Sequence, residues 1–321
     1  MTELSRKILE EYQIRKSAKQ KEDFWCFLLD ELRGMGYEAK IEGKSSKNIV
    51  VGDPETAKVI YTAHYDTCPV LPIPNFITPR NFVWYLLYQM LLVLPMLAAA
   101  VGAEVGTMLL WEWVTGETCP FMVAMTAMEA VLLFFLWWIY AGPANKHTVN
   151  DNTSGVLALV EIAESLPEEL RSEVCLIFFD NEEKGLLGSS AFARKHKQVR
   201  KNGLVVNFDC VSDGDYIQFY PSKLLKKKGK DTLAAVEEAF PSRGNKTTEV
   251  VRSFGFYPSD QAKFKKGIGV CALKKKPLVG YYMDRIHTKR DTVLMEENIT
   301  LLRDGALRLA QKLSKQERTV G

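Results

Sequence analysis

The sequence predicts an α/β fold, a central sheet flanked by helices, with a two-helix hairpin of transmembrane character set into it. Three observations predict it. Short β-rich runs alternate with helical runs along most of the chain, which implies a sheet covered on both faces. Polar residues able to do chemistry stand at the ends of those runs, where ligands gather in such sheets. One internal stretch is too apolar for the surface of a soluble domain. With 321 residues, 47% of them hydrophobic, the chain can bury a substantial core. The net charge of +3 comes from basic residues spread along the chain, so nucleic acid is not an expected partner. The six cysteines are scattered, without a CxxC pair, and read as reduced packing thiols.

Residues 1–34 place apolar positions (Leu4, Ile8, Leu9, Tyr12, then Phe24, Phe27, Leu28, Leu32) at helical spacing, with Gly34 and Gly36 as a stop. This segment has no uninterrupted apolar core of signal-peptide length, and export is not expected. "YEAKIEG", "NIVVG" and "KVIYTAHYDT" follow as strands bounded by Gly, Asp and Pro.

The apolar stretch comes next. Residues 81–103 carry no charge, a length that spans a bilayer core, and 119–141 carry only Glu129. Trp84, Trp111, Trp113, Trp137 and Trp138 lie in this interval, many near the ends of the runs as interfacial belts require. Arg80 precedes it, Lys146 follows it, and Glu104, Glu112, Glu117 and Glu129 are its only charges. By the positive-inside tendency both ends face the cytoplasm. The expected division is therefore a discontinuous domain, 1–71 and 142–321, with 72–141 as an inserted transmembrane hairpin. A hydrophobic lid or dimerisation hairpin is the alternative, disfavoured because lids seldom need uncharged runs of that length. Glu129 is left with three roles: a helix contact, an interface between copies of the chain, or a path for substrate. The lysine clusters "KLLKKKGK" and "LKKKPL" read as solvated loops that can also meet anionic lipid.

Beyond the hairpin, "SGVLALVEIAESL" reads as a helix, "EVCLIFFD" as a buried strand, "SSAFARKHK" as a helix and "GLVVNFDCV" as a strand. Helix "DTLAAVEEAF", strands near "TEVVRS", "GVCAL" and "LVGYYM", and a C-terminal helix from about 295 to 315 complete the series.

Five element ends carry the chemistry: His64 and Asp66 in "IYTAHYD", Asp151 in "HTVNDNTSG", Glu182 and Glu183 in "LIFFDNEEKG", Asp209 in "VVNFDCVSDGD", and His287 in "YMDRIHTKRDT". Two imidazoles and several carboxylates at one sheet edge suit zinc, and three carboxylates with a hydroxide balance two Zn²⁺ ions. Five ligands serve two ions evenly only if one bridges, and Asp151 is the plausible bridge. Asp66 is placed to hold the ring of His64, a support that fixes the imidazole tautomer. Glu182 remains free to act as general base. His147 and His196 fall outside this set, His196 as a solvated surface residue.

In order along the chain, "HYD", "NDNTSG", "NEEKGLLGS", "NFD" and "IHTKRDT" resemble the pattern of the di-zinc aminopeptidase family, which also includes glutaminyl cyclases and glutamate carboxypeptidases. The resemblance covers about residues 48–70 and 145–295. It implies a mixed central sheet, and one zinc held by His64 and Glu183. The other would be held by Asp209 and His287, with Asp151 between them and a cis peptide after Asp151. It implies that Glu182 takes the proton of the attacking water and returns it to the leaving amine. "YPSDQAKFKKGIGVCAL" resembles a further family segment, with Gln261 where histidine is common and Gly269 where proline is common. Tyr257, just ahead of "PSD" in that segment, is the candidate oxyanion contact, with Phe256 competing for that position.

The expected function is a membrane-anchored peptidase with two zinc ions, an aminopeptidase acting on peptide substrates at the cytoplasmic face, in contact with membrane lipid and with other copies through the hairpin. A glutaminyl cyclase-like acyltransferase with one zinc is the alternative, and a non-catalytic scaffold a third. A scaffold has no need of an unliganded base beside metals.

Overall fold

The computed structural model describes residues 1–73 and 75–318, with side chains to 315. Two helices open the chain, α1 (Glu3–Glu11) and α2 (Ala18–Gly34). Both starts are capped as helix chemistry prescribes: Thr2 accepts from the Ser5 N–H, and Ser17 and Gln20 form a reciprocal capping box. Strands β1 (Ala39–Glu42), β2 (Asn48–Val51) and β3 (Val59–His64) follow.

Two long apolar helices come next, α3 (Phe82–Thr115) and α4 (Phe121–Ala141). Both are long and apolar enough to cross a membrane, and their outer faces are almost wholly bare. The first runs well past the expected end at 103. The helix continues through Pro95, Gly102 and Gly106 and closes at Gly116, which takes the left-handed conformation (φ 72°). Ala100 and Ala124 are the residues buried between the pair, small side chains that let two helices approach closely.

The remainder alternates as expected: α5 (Ser154–Ser165), β4 (Val174–Phe179), α6 (Leu187–Lys195), α7 (Lys197–Asn202), β5 (Leu204–Phe208), β6 (Tyr216–Pro221), α8 (Lys223–Lys228), α9 (Lys230–Ala239), β7 (Thr247–Val250), β8 (Lys266–Lys276), β9 (Gly280–Tyr282) and α10 (Glu296–Arg318). The helix expected over "SSAFARKHK" breaks at His196 into two. His196 is not solvated either: it stacks on Phe192 at 4.3 Å and is held between Glu55 (2.7 Å) and Glu42 (2.9 Å). The basic look of its neighbours hid two acidic partners distant in sequence.

The sheet order is β1-β2-β4-β3-β5-β8-β6-β7, with β9 paired to β8. Strands β4, β3, β5 and β8 run parallel at the centre and the edges add antiparallel pairs, so the sheet is mixed. Every residue of β3, β4 and β5 is buried, the continuous apolar run of a strand covered on both faces. One face packs Phe24, Leu28, Val156, Leu159, Leu302 and Leu309 from α2, α5 and α10, and the other packs Phe192, Val199 and Phe264. Fully burying each such side chain contributes roughly 1.5–3 kcal/mol. Because the central strands are parallel, their C-terminal ends share one edge. That edge carries the site. All six cysteines are free thiols.

Candidate metal centre

Three strands and two loops deliver the side chains. His64 is the last residue of β3, Glu182 and Glu183 follow β4, and Asp209 follows β5. Asp151 lies in the irregular turn that opens α5, and its peptide bond to Asn152 is cis. His287 arrives on the loop after β9. The structure thus gathers all five expected ligands and Glu182 around one cleft.

Asp151 is central. One of its oxygens lies 3.3 Å from His64 Nε2 and the other 3.0 Å from His287 Nε2. Asp209 lies 3.6 Å from His64 Nε2, and Glu183 lies 3.5 Å from His287 Nε2. The pairs are therefore His64 with Asp209 and Glu183 with His287. This corrects the expected sharing, which put His64 with Glu183 and Asp209 with His287. The reason is sheet order: β3 and β5 are parallel neighbours, so their ends set His64 beside Asp209, while Glu183 lies beyond the end of β4 and meets the loop that carries His287.

Supports surround the cluster. His64 Nδ1 meets the main-chain carbonyl of Asp66 at 3.0 Å, closer than the Asp66 carboxylate at 3.6 Å. That carboxylate instead accepts the main-chain N–H groups of Glu182 (2.9 Å) and Glu183 (3.2 Å), so Asp66 positions the paired glutamates as well as the imidazole. Asn150 and Asn152, on either side of Asp151, tie its turn to the segment after β5: Asn150 Oδ1 accepts from the Ser212 and Asp213 amides, and Asn152 Oδ1 from that of Cys210. Lys21 clamps the Glu182 loop from α2, donating to Asp180 at 2.6 Å and Asn181 at 2.9 Å.

Without a cation the charges are ill at ease. Burial raises the Glu182 carboxyl well above its usual range, against the pull of His64, and Asp209, Asp260 and Glu183 add to the rise. Glu183 is raised by burial too, and its Oε1 is buried without a hydrogen-bond partner. Burial would lower His287, but Glu183 and Asp151 outweigh it and lift the imidazole to about 9. Asp151 is held below the usual carboxylate range: burial opposes this, and the two histidines override it. Two imidazoles and three carboxylates directed at one another, with an orphaned buried oxygen, are a donor set suited to divalent cations such as zinc.

Two residues of the site went unremarked in the sequence. Asp291 accepts the main-chain N–H groups of Asn150 and Asp151; the acidic position of "HTKRDT" was its signal. Asp260, fully buried in "YPSDQ", has its carboxyl raised to about 7, by burial first. Tyr257 lines the cleft, and its hydroxyl donates to the Asp209 carbonyl at 3.0 Å, while Phe256 sits at the mouth. Gln261 and Gly269, the two departures from the family segment, touch: a Cβ on residue 269 would fall 2.5 Å from Gln261 Nε2. The Gln261 amide fills that space, donating to the Tyr257 carbonyl and accepting from Asn207.

Acid and imidazole groups converging at the parallel edge of an α/β sheet, with a spare carboxylate beside them, define a metallopeptidase. The chain belongs to peptidase family M28, whose model matches residues 138–308. Among solved structures it is similar to a glutaminyl cyclase of Porphyromonas gingivalis (16% identity, TM-score 0.57, covering 96% of this chain and 95% of that one). It is also similar to a Zn-dependent exopeptidase of Parabacteroides distasonis (14%, TM-score 0.56, 96% and 94%). The aminopeptidase LapA of Legionella pneumophila is a third (14%, TM-score 0.54, 96% and 68%). At these identities the likeness is one of fold. No curated protein matches the chain in sequence.

Proposed function

We propose that the chain is a membrane-anchored aminopeptidase with two zinc ions, removing N-terminal residues from peptides near the cytoplasmic face. The observation that carries this reading is Asp151, whose two oxygens face two separate imidazole–carboxylate pairs. His64, Asp209 and one oxygen of Asp151 would hold one ion; Glu183, His287 and the other oxygen would hold its partner. Zinc bound there supplies Lewis acidity, activating water and polarising a carbonyl. Glu182 is the proton carrier: it takes a proton from water and hands it to the leaving amine, and its raised affinity for protons suits both steps. Asp66 and Asp291 hold the backbones from which Glu182 and Asp151 project. Tyr257 lines the wall as a substrate or oxyanion contact once its hydroxyl turns from the Asp209 carbonyl.

In this reading residues 1–71 and 142–321 form the enzyme, and 72–141 anchor it. Arg80 and Lys146 at the two ends of the hairpin support a cytoplasmic enzyme domain. The test is metal analysis of detergent-purified protein together with a screen of peptides with free and blocked amino ends. Two zinc ions and cleavage of free ends alone are expected. One ion with cyclisation of N-terminal glutamine would replace this reading by the acyltransferase one, and cleavage of blocked peptides alone would refute the aminopeptidase.

A further inference from the structure

The first turns of α3 face two environments at once. Tyr85 lines the catalytic cleft, and its ring meets Phe256 at 6.0 Å. Phe82 meets Phe254 and Phe256 edge-on at 6.4 Å. The helix start is fastened to the same rim, since Asn81 donates to the Val279 carbonyl at 3.3 Å and the Phe256 N–H donates to the Pro79 carbonyl at 2.8 Å. On the outer side of these turns Val83, Leu86 and Leu87 are bare, and no charge interrupts the helix before Glu104. An apolar face of that extent needs a cover other than water. A cover that reaches Leu86 also reaches the level of Tyr85, at the mouth of the cleft.

The rim beyond the hairpin carries matching chemistry. Phe254 is 62% exposed, and Leu278, at the tip between β8 and β9, is 92% exposed. Only Pro277 separates Leu278 from Lys274, Lys275 and Lys276. The ammonium of Lys275 lies 5.0 Å over the Tyr281 ring and that of Lys276 5.3 Å over Tyr282. Apolar tips backed by aromatic rings and lysines match a lipid surface: the tips enter the acyl boundary and the lysines meet anionic headgroups. The patch is also continuous with the apolar face of α3.

We propose that this rim seats in the surface of an anionic bilayer, so that the cleft opens against lipid and receives the end of a peptide anchored in that membrane. The substrate half rests on the peptidase reading; the seating does not.

The test uses the full chain in phosphatidylcholine–phosphatidylglycerol vesicles, with Cys26→Ser and Cys119→Ser removing the thiols that are not buried. A polarity-sensitive dye on Leu278→Cys is expected to shift to the blue and be quenched by brominated lipid. The same dye on Asn202→Cys, just before β5 and so at the opposite end of the strand, is expected to report water. Absence of quenching at position 278 overturns the seating, and a dye shift that instead follows protein concentration in detergent assigns the face to a second copy. In a separate assay, Phe254→Ser combined with Leu278→Ser is expected to lower cleavage of a lipid-anchored peptide about tenfold, with a soluble peptide of the same N-terminal sequence unaffected. Equal effects on both peptides overturn the substrate half. If wild type cleaves neither peptide, the peptidase reading fails, and the quenching result still decides the seating.

Discussion

The carboxylate of Asp291 accepts the main-chain N–H of Asp151 at 3.0 Å and that of Asn150 at 2.7 Å. It thereby fixes the one side chain that faces both histidines. Removing such a support from a metal ligand typically lowers metal affinity about 10–100-fold. Asp291→Ala is expected to weaken zinc binding within that range, and Asp291→Asn less, since one amide oxygen still accepts. Competition against a chelating dye measures both, and wild-type affinity in Asp291→Ala would remove the positioning role.

Glu182 is the carboxylate left outside both imidazole–carboxylate pairs. Glu182→Gln keeps the shape and the Asp66 contact, which is made by the main chain, but cannot accept a proton. Turnover is expected to fall by roughly 10²–10⁴-fold, the usual worth of a general base, with bound metal unchanged by elemental analysis. Retained activity would sink the assignment.

The contact between Gln261 and Gly269 makes a stability prediction. In Gly269→Ala the new Cβ collides with the Gln261 amide, in a strand paired on both sides, and overpacking of this kind costs about 1–3 kcal/mol. Gln261→Ala loses the bonds to Tyr257 and Asn207 but opens the space. The double variant is therefore expected to be more stable than the sum of the single losses, the sign of directly coupled sites. Urea unfolding of the four proteins measures the coupling, and strict additivity would show that the two departures are independent.

Much of this centre was legible before the structure because its residues stand at the ends of strongly apolar runs. "VCLIFF" and "LVVNF" declare buried strands, and the acidic residues after them had to lie at one edge. What the residues could not declare was which ends are neighbours. The pairing of His64 with Asp209 depends on β3 lying between β4 and β5, a property of long-range packing that no local pattern encodes. The length of α3 was hidden for a different reason: absence of charge marks a span, whereas the helix runs through Pro95 and past Glu104 to Gly116, where the backbone turns left-handed. The Asp66 carboxylate lies 3.6 Å from His64 Nδ1, and its hydrogen bonds run instead to the amides of Glu182 and Glu183, a contact that exists only once β3 and β4 lie side by side.

Removal of metal has a definite pH signature. Burial and the charge of Asp151 raise the Asp291 carboxyl to about 7 in the metal-free protein, and His287 lies at about 9 because Glu183 and Asp151 outweigh the lowering effect of its burial. For a group raised above its unfolded value, the stabilising contribution is complete below the unfolded pKa, near 4 for aspartate and 6.5 for histidine. It is lost as pH climbs through the folded value. Glu182, Glu183 and His64 are raised as well and act in the same direction. Within the cluster Asp151 is depressed; its contribution is lost only in acid, below about pH 4. The melting temperature of chelated protein is therefore expected to fall between about pH 5 and pH 9, by up to about 1.4 kcal/mol of stability per pH unit for each proton released. Bound metal supplies the missing positive charge, so the stabilisation it confers should widen over the same range. Thermal melts with and without chelator across that window decide the matter: a chelated protein whose stability stays level or rises with pH would show that these carboxylates and imidazoles do not share one uncompensated cluster.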